Sequence, residues 1–404
     1  MDAVPTSPAD DSALRFDPYG QQFRLDPYPT YARMREQAPV YRNQELDFWA
    51  LTRYDDVDLA LRDHRRFSSV NGALLDPSLW GPNADKTLSF TAMDPPRHTA
   101  MRRLVAAAFS PSQMAALEPE VRRIVGSYLD PAIEAGTFDF IAELAANVPM
   151  DVISELLGIP RGEREEARRL MDQATERPPG STDVPEQGAA SLLKLIAYLR
   201  DLTIQRRRQP RDDLTSTLAQ GRVDGRPLSD EEVIAALILF IAAGNETTAR
   251  LLGTAWYWVW RHPQQRARAF GGRVVEWIEE TLRFDPPVQY ILRTATEDVE
   301  VSGTVLPRGA RVMLLIAAAN RDPRVFPDPD HYDLLRDTRR AIAFGVGPHF
   351  CLGAPLARLE ARIVLGELVN RVNDDYDIDA GSAEPAWTTN TRGFAHLPTT
   401  VTPR

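Results

Sequence analysis

The feature that most constrains the fold is one uninterrupted helical pattern of about 33 residues, from Ser229 to Arg261. A helix of that length spans about 50 Å, the width of a whole domain, so the other elements must pack around it. Ser229 and Glu232 match a capping box at its start, and His262-Pro263 ends the pattern. Because its first half is apolar on nearly every side, we expect this helix to run through the core of a largely helical fold.

The other secondary-structure patterns are mostly helical. Helical spacing or capping residues occur near residues 97–109, 113–134, 141–158, 161–175, 189–208, 273–284 and 354–372. Strand patterns are few. Residues 48–52 form one, and Ser302-Gly303 is expected to turn a hairpin from residues 299–305 into residues 311–317.

The loops and the ends of the chain define its domain organisation. Residues 71–91 and 175–188 have the composition of loops, the second around Pro178-Pro179-Gly180-Ser181. Between the loops the helical patterns follow one another without a low-complexity linker. We therefore expect a loose tail at residues 1–14 and a single domain at residues 15–404.

The composition argues against several classes of protein. The net charge of −10 argues against general nucleic-acid binding. The longest apolar stretch, residues 233–244, has about 12 residues and falls short of the roughly 18 that a membrane span needs. The N-terminus is polar and has no signal-peptide pattern. We therefore expect a cytoplasmic protein without a membrane span and without a nucleic-acid partner.

A polar segment, Ala243-Gly244-Asn245-Glu246-Thr247-Thr248, interrupts the apolar pattern of the long helix. Gly244 costs about 1 kcal/mol relative to alanine in a helix, and a buried carboxylate such as Glu246 costs more unless it is paired. A satisfied kink is one explanation, since threonine can hydrogen-bond back to the preceding turn. A functional site is the other explanation, and so many unfavourable residues in a core helix favour it.

Cys351 is the only cysteine of the chain and lies in the run from Phe344 to Gly353, just before a helical stretch with Pro355 near its start. A solitary cysteine has no intrachain disulfide partner, which leaves packing, nucleophilicity or metal ligation. A helix N-terminus favours the thiolate, the form that binds metals or attacks electrophiles. The glycines of the run indicate that a flat or bulky group approaches the backbone closely.

Charged residues recur at helical spacing in two other places. Glu280 and Arg283 lie three residues apart, share a helix face and can pair. His98 and Arg102 share another helix face at i, i+4 spacing, and Arg293 lies in an extended segment. Each of these residues, taken singly, is most often a surface residue.

Together, the cysteine run, the interrupted helix and these charged residues resemble the soluble bacterial branch of the cytochrome P450 monooxygenases. The resemblance extends from Asp26-Pro27-Tyr28-Pro29 to Gly393-Phe394. The cysteine run is its most specific part, because a phenylalanine, two spaced glycines, a histidine two residues before the cysteine and a glycine two residues after it rarely coincide. The implied fold is mainly α, a helical prism with a long central helix and a minor β-sheet region.

This resemblance implies haem b as the cofactor, with Cys351 as the axial thiolate ligand of its iron. Phe344 would pack beside the sulfur, and the amides around Leu352 and Gly353 would hydrogen-bond it. Gly345 and Ala243 are also expected at the haem. Four basic residues match the positions that hold the two haem propionates through charge-assisted bonds: His98, Arg102, Arg293 and His349.

The polar segment of the long helix acquires a catalytic role by the same resemblance. Gly244 would leave room above the iron, while Glu246 and Thr247 would help deliver protons for the activation of the co-substrate, dioxygen. Asn245 stands where many bacterial relatives have histidine or aspartate. This difference leaves the details of proton delivery open.

The resemblance also implies a structural ion pair and separate redox partners. Glu280 and Arg283, joined by Arg336, match the ion pair of the family. No flavin or ferredoxin segment follows the domain, so we expect electrons from NAD(P)H to arrive through a ferredoxin reductase and a ferredoxin. The protein is expected to be a monomer.

The substrate is expected above the haem, on the side opposite Cys351. The walls of the substrate site are mostly apolar, which indicates that the substrate is a medium-sized hydrophobic molecule of secondary metabolism. We expect it to be hydroxylated or epoxidised by one oxygen atom from dioxygen. The residues expected to form these walls are Leu88, Phe90, Phe240, Ala243, Val288, Ile291, Leu292 and Phe394.

Other uses of the single cysteine fit the sequence less well. A cysteine hydrolase needs a base, and His349 is badly placed if a helix begins between it and Cys351. A zinc site lacks further cysteines and a close histidine pair, and the glycine run has phenylalanine where a dinucleotide-binding loop needs its last glycine. The open alternative is a haem-thiolate protein that is not a dioxygen-dependent monooxygenase, such as a peroxygenase, an isomerase or dehydratase, or a ligand sensor. The presence of both Glu246 and Thr247 argues against that alternative.

Overall fold

The structure is a computed structural model that describes residues 14–20, 25–176, 181, 183–386, 388 and 390–404. The expected loose tail at residues 1–14 lies outside these ranges except for its last residue. Of the loop expected at residues 175–188, the structure describes residues 175, 176, 181 and 183–188, while Pro178, Pro179 and Gly180 lie outside the described ranges. The statements below concern the described residues.

Helices form most of the regular structure. In chain order they are α1 Tyr28–Gln37, α2 Tyr54–Arg62, α3 Asp85–Leu88, α4 Arg97–Ala106, α5 Pro111–Ala135, α6 Asn147–Leu157, α7 Arg164–Thr175, α8 Glu186–Arg208, α9 Leu214–Ala219, α10 Asp230–Arg261, α11 Pro263–Phe270, α12 Val274–Phe284, α13 Ile316–Ala319 and α14 Ala354–Arg371. The helices predicted from spacing and capping are present within a few residues of their expected bounds, except the one expected at 141–158, whose α-helical part begins at Asn147.

Strands are short and belong to small sheets. They are β1 Val40–Asn43, β2 Phe48–Leu51, β3 Phe67–Ser68, β4 Thr137–Asp139, β5 Arg222–Val223, β6 Arg226–Pro227, β7 Ile291–Ala295, β8 Val299–Val301, β9 Thr304–Leu306, β10 Arg311–Leu314, β11 Asp377–Ile378, β12 Glu384–Pro385, β13 Phe394–His396 and β14 Pro398–Thr400. The largest sheet has the order β1-β2-β10-β7-β3, and a second has the order β11-β14-β4.

The long helix α10 is the centre of the fold, as predicted. The Ser229 hydroxyl accepts from the Glu232 amide at 3.3 Å, and the Glu232 carboxylate accepts from the Ser229 amide at 2.9 Å, which completes the capping box. Helices α6, α8, α12 and α14 pack against it. By length and composition alone α10 could cross a membrane, but 61% of its most apolar window is buried inside the protein. Such burial is typical of a core helix.

The predicted hairpin around Ser302-Gly303 is wrong in its second arm. The turn leads from β8 directly into β9, with Val301 opposite Thr304. The segment expected to be the second arm contains β10 instead, which pairs in parallel with β2 and antiparallel with β7. A two-residue turn brings adjacent residues together, so the nearest strand-forming residues become the partner.

The short helices α1, α2, α9 and α11 had no prediction. Helix α9 has six residues, and its start is fixed by the Asp213 carboxylate, which accepts from the Ser216 amide at 2.7 Å. So short a segment shows little periodicity, and its stability comes from packing on other helices. The helix expected at 141–158 is divided by a π-helical turn at Phe140–Ala145 that precedes α6.

Candidate cofactor and substrate site

A cavity of about 300 Å³ lies between one face of α10 and the cysteine run. Its walls are mainly apolar, but basic side chains line one part of it, a combination typical of small-molecule sites. Thirteen of the residues predicted from the sequence line it: Phe90, His98, Arg102, Phe240, Ala243, Thr247, Val288, Ile291, Phe344, Gly345, His349, Cys351 and Gly353. The structure therefore brings together segments that are separated by up to 263 positions.

The loop around Cys351 holds its sulfur just before the first turn of α14. The Cys351 amide donates to the Phe344 carbonyl at 2.8 Å, which closes the loop. Burial raises the pKa of the thiol above its ordinary value, while the amides of Gly353 and Ala354, which hydrogen-bond the sulfur, act in the opposite direction. The expected amide donors were those around Leu352 and Gly353, so the second donor lies one position further along. A bound metal cation would favour the thiolate at this buried position.

The two glycines that precede His349 have different neighbours. Gly347 has φ +73°, and a Cβ there would lie 3.0 Å from the Arg62 Cα and the Leu61 carbonyl. The backbone that approaches Gly347 closely is therefore α2. Gly345, with φ +68°, would meet only the His349 carbonyl at 3.8 Å, and it lines the cavity. Of these two glycines, only Gly345 is available to a bound group.

The cavity face of α10 differs by one residue from the expectation. Ala243 and Thr247, one turn apart, line the cavity, and the Thr247 hydroxyl donates to the Ala243 carbonyl at 2.7 Å. Gly244 does not line it. A Cβ on Gly244 would lie 3.0 Å from the Ile153 side chain, so this glycine allows α6 to pack closely on α10. The expectation that Gly244 leaves room in the site is wrong, because its open side faces Ile153.

Glu246 lies on the neighbouring face of α10 and outside the cavity lining. Its carboxylate accepts from the Thr391 hydroxyl at 2.5 Å, and the Arg250 guanidinium lies 3.9 Å from the same oxygen. Sequence reasoning missed Thr391, because nothing in the spacing of residues links it to a helix 145 positions earlier. The two residues expected to deliver protons thus face different surroundings.

A buried basic cluster lies at one end of the cavity. The rings of His98 and His349 are 4.1 Å apart, and His98 is only 1% exposed. Neither ring nitrogen of His98 has a hydrogen-bond partner among the described residues. Arg293 is 3% exposed and donates to the Leu292 carbonyl at 2.7 Å, but it forms no ion pair within the described ranges. Arg102 lines the cavity beside them.

The pKa values of this basic cluster are lowered, because burial and the neighbouring positive charges outweigh the charge of the Asp94 carboxylate. Burial, followed by Arg102, lowers the pKa of His98 to about 4. Burial, followed by Arg293 and His98, lowers the pKa of His349 to about 2. Burial also lowers the pKa of Arg293 to about 10. Two carboxylates placed here would satisfy the unpartnered donors and reverse these shifts, so the cluster fits the acidic edge of a haem.

Three further polar residues support the basic cluster and were missed. Ser69 lies 3.2 Å from the His349 Nε2, and its amide donates to the Asp94 carboxylate at 2.9 Å. The Asp94 charge acts to raise the pKa of His98 and of Arg293. His64 is the third, since its charge acts to lower the pKa of both histidines. These residues come from turns and loops, where the sequence carries no periodic signal.

The predicted structural ion pair forms a fully buried cluster with Arg336. Arg283 donates to both Glu280 oxygens at 2.7 and 2.8 Å, and both side chains are at most 1% exposed. Arg336 donates to the same carboxylate at 3.3 Å, and the Asp333 amide does so at 3.0 Å. The remaining arginine donors bind backbone carbonyls of the segments after α13. This cluster joins α12 to those segments.

Three of the residues expected in the substrate walls lie elsewhere. Leu292 is fully buried in a separate apolar cluster that packs against α1. Phe394 contacts the Tyr257 ring at 4.9 Å and lines a different cleft. Leu88 is half-buried beside Gly72 and does not line the cavity. On a strand, neighbouring residues point to opposite faces, which explains why Ile291 lines the cavity and Leu292 does not.

Comparison with known proteins agrees with this geometry. The family model described as "Cytochrome P450" matches residues 274–377. A Mycobacterium tuberculosis protein named "Putative cytochrome P450 123" is 44% identical over 397 residues, with 98% of each chain covered. The "Vitamin D(3) 25-hydroxylase" of Pseudonocardia autotrophica is 36% identical over 396 residues, with 96% of this chain and 97% of the relative covered.

Solved structures show the same relationship. CYP109E1 from Bacillus megaterium, in complex with testosterone, superposes with a TM-score of 0.85 at 31% identity, covering 94% of this chain and 98% of its own. The chain therefore belongs to the cytochrome P450 family, and the predicted fold is confirmed. It is a P450 monooxygenase with a haem iron cofactor.

Proposed function

We propose that this protein binds haem b through Cys351 and inserts one oxygen atom from dioxygen into a medium-sized hydrophobic molecule. The observation that carries the proposal is a single cavity lined by a cysteine sulfur, apolar side chains and a basic cluster whose positive charge outweighs that of the nearby Asp94 carboxylate. We assign residues 15–404 to one haem-binding domain. The bound haem supplies the activation of dioxygen.

The residues of this chain hold the cofactor at two points. Cys351 ligates the iron, and the amides of Gly353 and Ala354 reduce the charge on its sulfur. The basic cluster His98, Arg102, Arg293 and His349 binds the propionates. Phe344, which lines the cavity beside the sulfur, excludes water from that side, and the Arg358 guanidinium lies 4.5 Å from its ring centroid.

On the side of the cavity opposite Cys351, Thr247 positions a proton that the reaction consumes. Its hydroxyl donates to the Ala243 carbonyl, so its oxygen is free to accept from a proton donor on the cavity side. Glu246 serves as the source of that proton. It lies on the next face of α10, so water or a side-chain movement must carry the proton to Thr247.

The substrate is an uncharged hydrophobic molecule. Apart from the basic cluster and Thr247, the cavity is lined largely by residues such as Phe90, Phe240, Val288 and Ile291. The relatives named for vitamin D(3) and bound to testosterone support a steroid-like size. We further propose that the substrate is a molecule of secondary metabolism.

Electrons reach the site from NAD(P)H through a ferredoxin reductase and a ferredoxin. The surface on the Cys351 side supports this, since Phe350 is 40% exposed there, and Arg62 and Arg358 lie beside two other residues of the cysteine run, Gly347 and Phe344. An acidic partner would be attracted to these arginines. We further propose that the protein is a cytoplasmic monomer without a membrane span or nucleic-acid partner.

The test of this function is the reduced carbonyl complex of the protein. We expect Cys351→Ser to abolish its red-shifted Soret band, because the band depends on thiolate ligation of the iron. Thr247→Ala is the matched control and should keep the band, since it lines the cavity without ligating the iron. A Cys351→Ser protein that retained the band would refute the assignment of the ligand.

A further inference from the structure

The carboxylate of Glu246 faces the C-terminal segment of the chain. Glu246, Arg250, Gly253 and Tyr257 follow one another at spacings of three or four residues along one face of α10. Each of them contacts or faces residues 391–394, through the Thr391 hydroxyl, the Phe394 carbonyl or the Phe394 ring. The immediate neighbours of Glu246 therefore belong to the end of the chain.

Two hydroxyl groups continue outward from Glu246. Thr391 donates to the Glu246 Oε1 at 2.5 Å. The Thr388 hydroxyl lies 2.5 Å from the Thr391 hydroxyl, and Thr388 is the donor of this bond, because the single hydroxyl proton of Thr391 is already donated to Glu246. Thr388 also lies 3.1 Å from the Thr391 carbonyl, which keeps the two side chains side by side. A hydroxyl can donate and accept at once, so this pair is able to pass a proton along.

The outer end of the hydroxyl pair lies at a small cavity that has room for water. This cavity has about 30 Å³ and is lined by Thr388, Thr391, Gln289 and Asn390, among others. About 10–15 Å³ suffices for one water molecule, and polar walls are needed to hold it. The small cavity shares Arg392 and Gly393 with a larger surface cleft of about 610 Å³. The hydroxyl pair thus lies between the surface and Glu246.

We propose that Thr388 and Thr391 form the route by which protons from solvent reach Glu246. A proton from bulk solvent reaches water in the small cavity, and the hydronium ion so formed protonates Thr388 and is left as neutral water. Thr388 gives its own proton to Thr391, and Thr391 gives its own to the Glu246 carboxylate. No charge remains on either threonine afterwards. The inference rests on the proposed function, in which each turnover takes up two protons from solvent and two electrons from NAD(P)H. One oxygen atom of dioxygen then enters the substrate, and the other leaves as water.

A competing route would run through Asp172 at the end of α7. Partial burial, with the nearby charge of Glu246 acting in the same direction, raises the pKa of this carboxyl to about 6. Arg168, at 3.4 Å, acts against this shift. No hydroxyl pair connects Asp172 with Glu246 among the residues that the structure describes. We therefore favour the threonine route, and the experiment below separates the two.

The direct test follows the protonation of Glu246 without cofactor turnover. The infrared band of the Glu246 carboxylate is assigned by its absence in Glu246→Gln, and its loss is timed after a rapid drop in pH. Thr391→Val keeps the shape of the side chain but removes the hydroxyl, and we expect it to slow the protonation about tenfold. Thr391→Ser restores a hydroxyl and should protonate at the rate of the parent.

The second test measures turnover with testosterone and vitamin D3 as probe substrates. We expect Thr391→Val to lower the product formed per NAD(P)H about tenfold and to increase the slowing by D2O, with KM unchanged. In a Glu246→Gln background, Thr391→Val should cause no further loss. Thr388→Val, one hydroxyl further out, should repeat the result if Thr391→Val folds poorly.

The two tests distinguish failure of the route from failure of the proposed function. If Thr391→Val protonates and turns over like the parent, the route is refuted, and a route through Asp172 takes its place. If the parent protonates Glu246 through Thr391 but converts neither probe, the route stands and the proposed steroid-like substrate is refuted. A Thr391→Ser variant as slow as Thr391→Val would also refute the route, because packing would then explain the effect.

Discussion

Two of the buried clusters of charged and basic side chains in this protein differ in how completely their members are paired. In the first, Arg283 donates to both oxygens of Glu280, and Arg336 adds a further bond to the same carboxylate. In the second, His98 and Arg293 are equally buried, yet both His98 nitrogens lack partners among the described residues. The charges of the first cluster are therefore paired by side chains of the protein itself.

This difference indicates what each cluster is for. A buried charge or polar group without a partner is costly, so a cluster that keeps several of them is suited to a partner from outside the chain. The paired cluster stabilises the fold whether or not a ligand is bound. The unpaired cluster is suited to the anionic edge of a haem, and its cost falls when that edge arrives. The predictions below test this contrast, from the largest expected effect to the smallest.

The largest effect should come from breaking the paired cluster. We expect Arg283→Ala to lower the free energy of unfolding by about 3–5 kcal/mol, because Glu280 is left buried with fewer partners. Little haem-loaded protein should be recovered. Urea unfolding and the ratio of haem absorbance to protein absorbance measure the two effects. Arg339→Ala, an exposed arginine, is the control and should match the parent. Normal stability of Arg283→Ala would contradict a structural role.

The second prediction compares the stability effects of substituting two glutamates that are buried to the same extent. Burial raises the pKa of Glu360 well above its ordinary value, and its Oε2 has no partner in the described part of the chain. The folded chain then holds a proton that the unfolded chain releases, so stability falls as the pH rises above the unfolded value. We expect Glu360→Gln to stabilise the protein by about 1–3 kcal/mol at pH 8.

The matched variant of that experiment is Glu280→Gln. It should destabilise the protein, since it removes the charge that Arg283 and Arg336 share. Unfolding measured at pH 5 and pH 8 checks both variants, and the gain from Glu360→Gln should shrink at pH 5. Equal effects of the two substitutions would show that pairing does not distinguish these glutamates.

A substitution in the unpaired cluster should change stability less, but it should clearly weaken haem binding. Arg293→Leu should leave the haem-free protein as stable as the parent, because it removes a buried charge that has no ion pair within the described ranges. Its affinity for haem should fall about tenfold, or about 1.4 kcal/mol. Arg311→Leu, on the neighbouring strand β10, is the control for loss of an arginine. Unchanged haem affinity of Arg293→Leu would refute its role.

The smallest effect should be a pH dependence of the haem-free chain. The pKa of His98 in the folded chain, about 4, lies below the value of about 6.5 expected when unfolded. Between these values the unfolded chain binds a proton that the folded chain does not, so stability present above pH 6.5 is lost as the pH falls. His98→Asn should lose less stability than the parent between pH 6.5 and 4. His331→Asn, at an exposed site, is the control and should lose as much stability as the parent.

Much of the site was predictable because its signals are local. The lone Cys351 next to a helix start, the i, i+3 pair Glu280 and Arg283, and the i, i+4 pair His98 and Arg102 are all visible in short stretches of sequence. Local geometry also predicted α10, whose cap and apolar pattern lie within one segment. The structure places each of these features where the local pattern indicates.

The errors share one cause, which is that a pattern does not tell which neighbour a face meets. Gly244 was expected at the cofactor and instead accommodates Ile153, and Leu292 points away from the wall that Ile291 forms. Phe394 was expected at the substrate but packs against Tyr257. In each case the residue type was correct for a close contact, and the partner came from a distant part of the chain.

The amino-acid sequence by itself determined the long core helix, the ligand loop of Cys351 and the pairing of Glu280 with Arg283, since these depend on neighbours within a few residues. Only the tertiary structure decided that α2 would approach Gly347 closely, that the rings of His98 and His349 would be in contact, and that Glu246 would face Thr391. The physical reason is that helix and strand periodicity establishes which residues share a face. The packing of whole elements, driven by burial of apolar surface, then establishes what that face contacts.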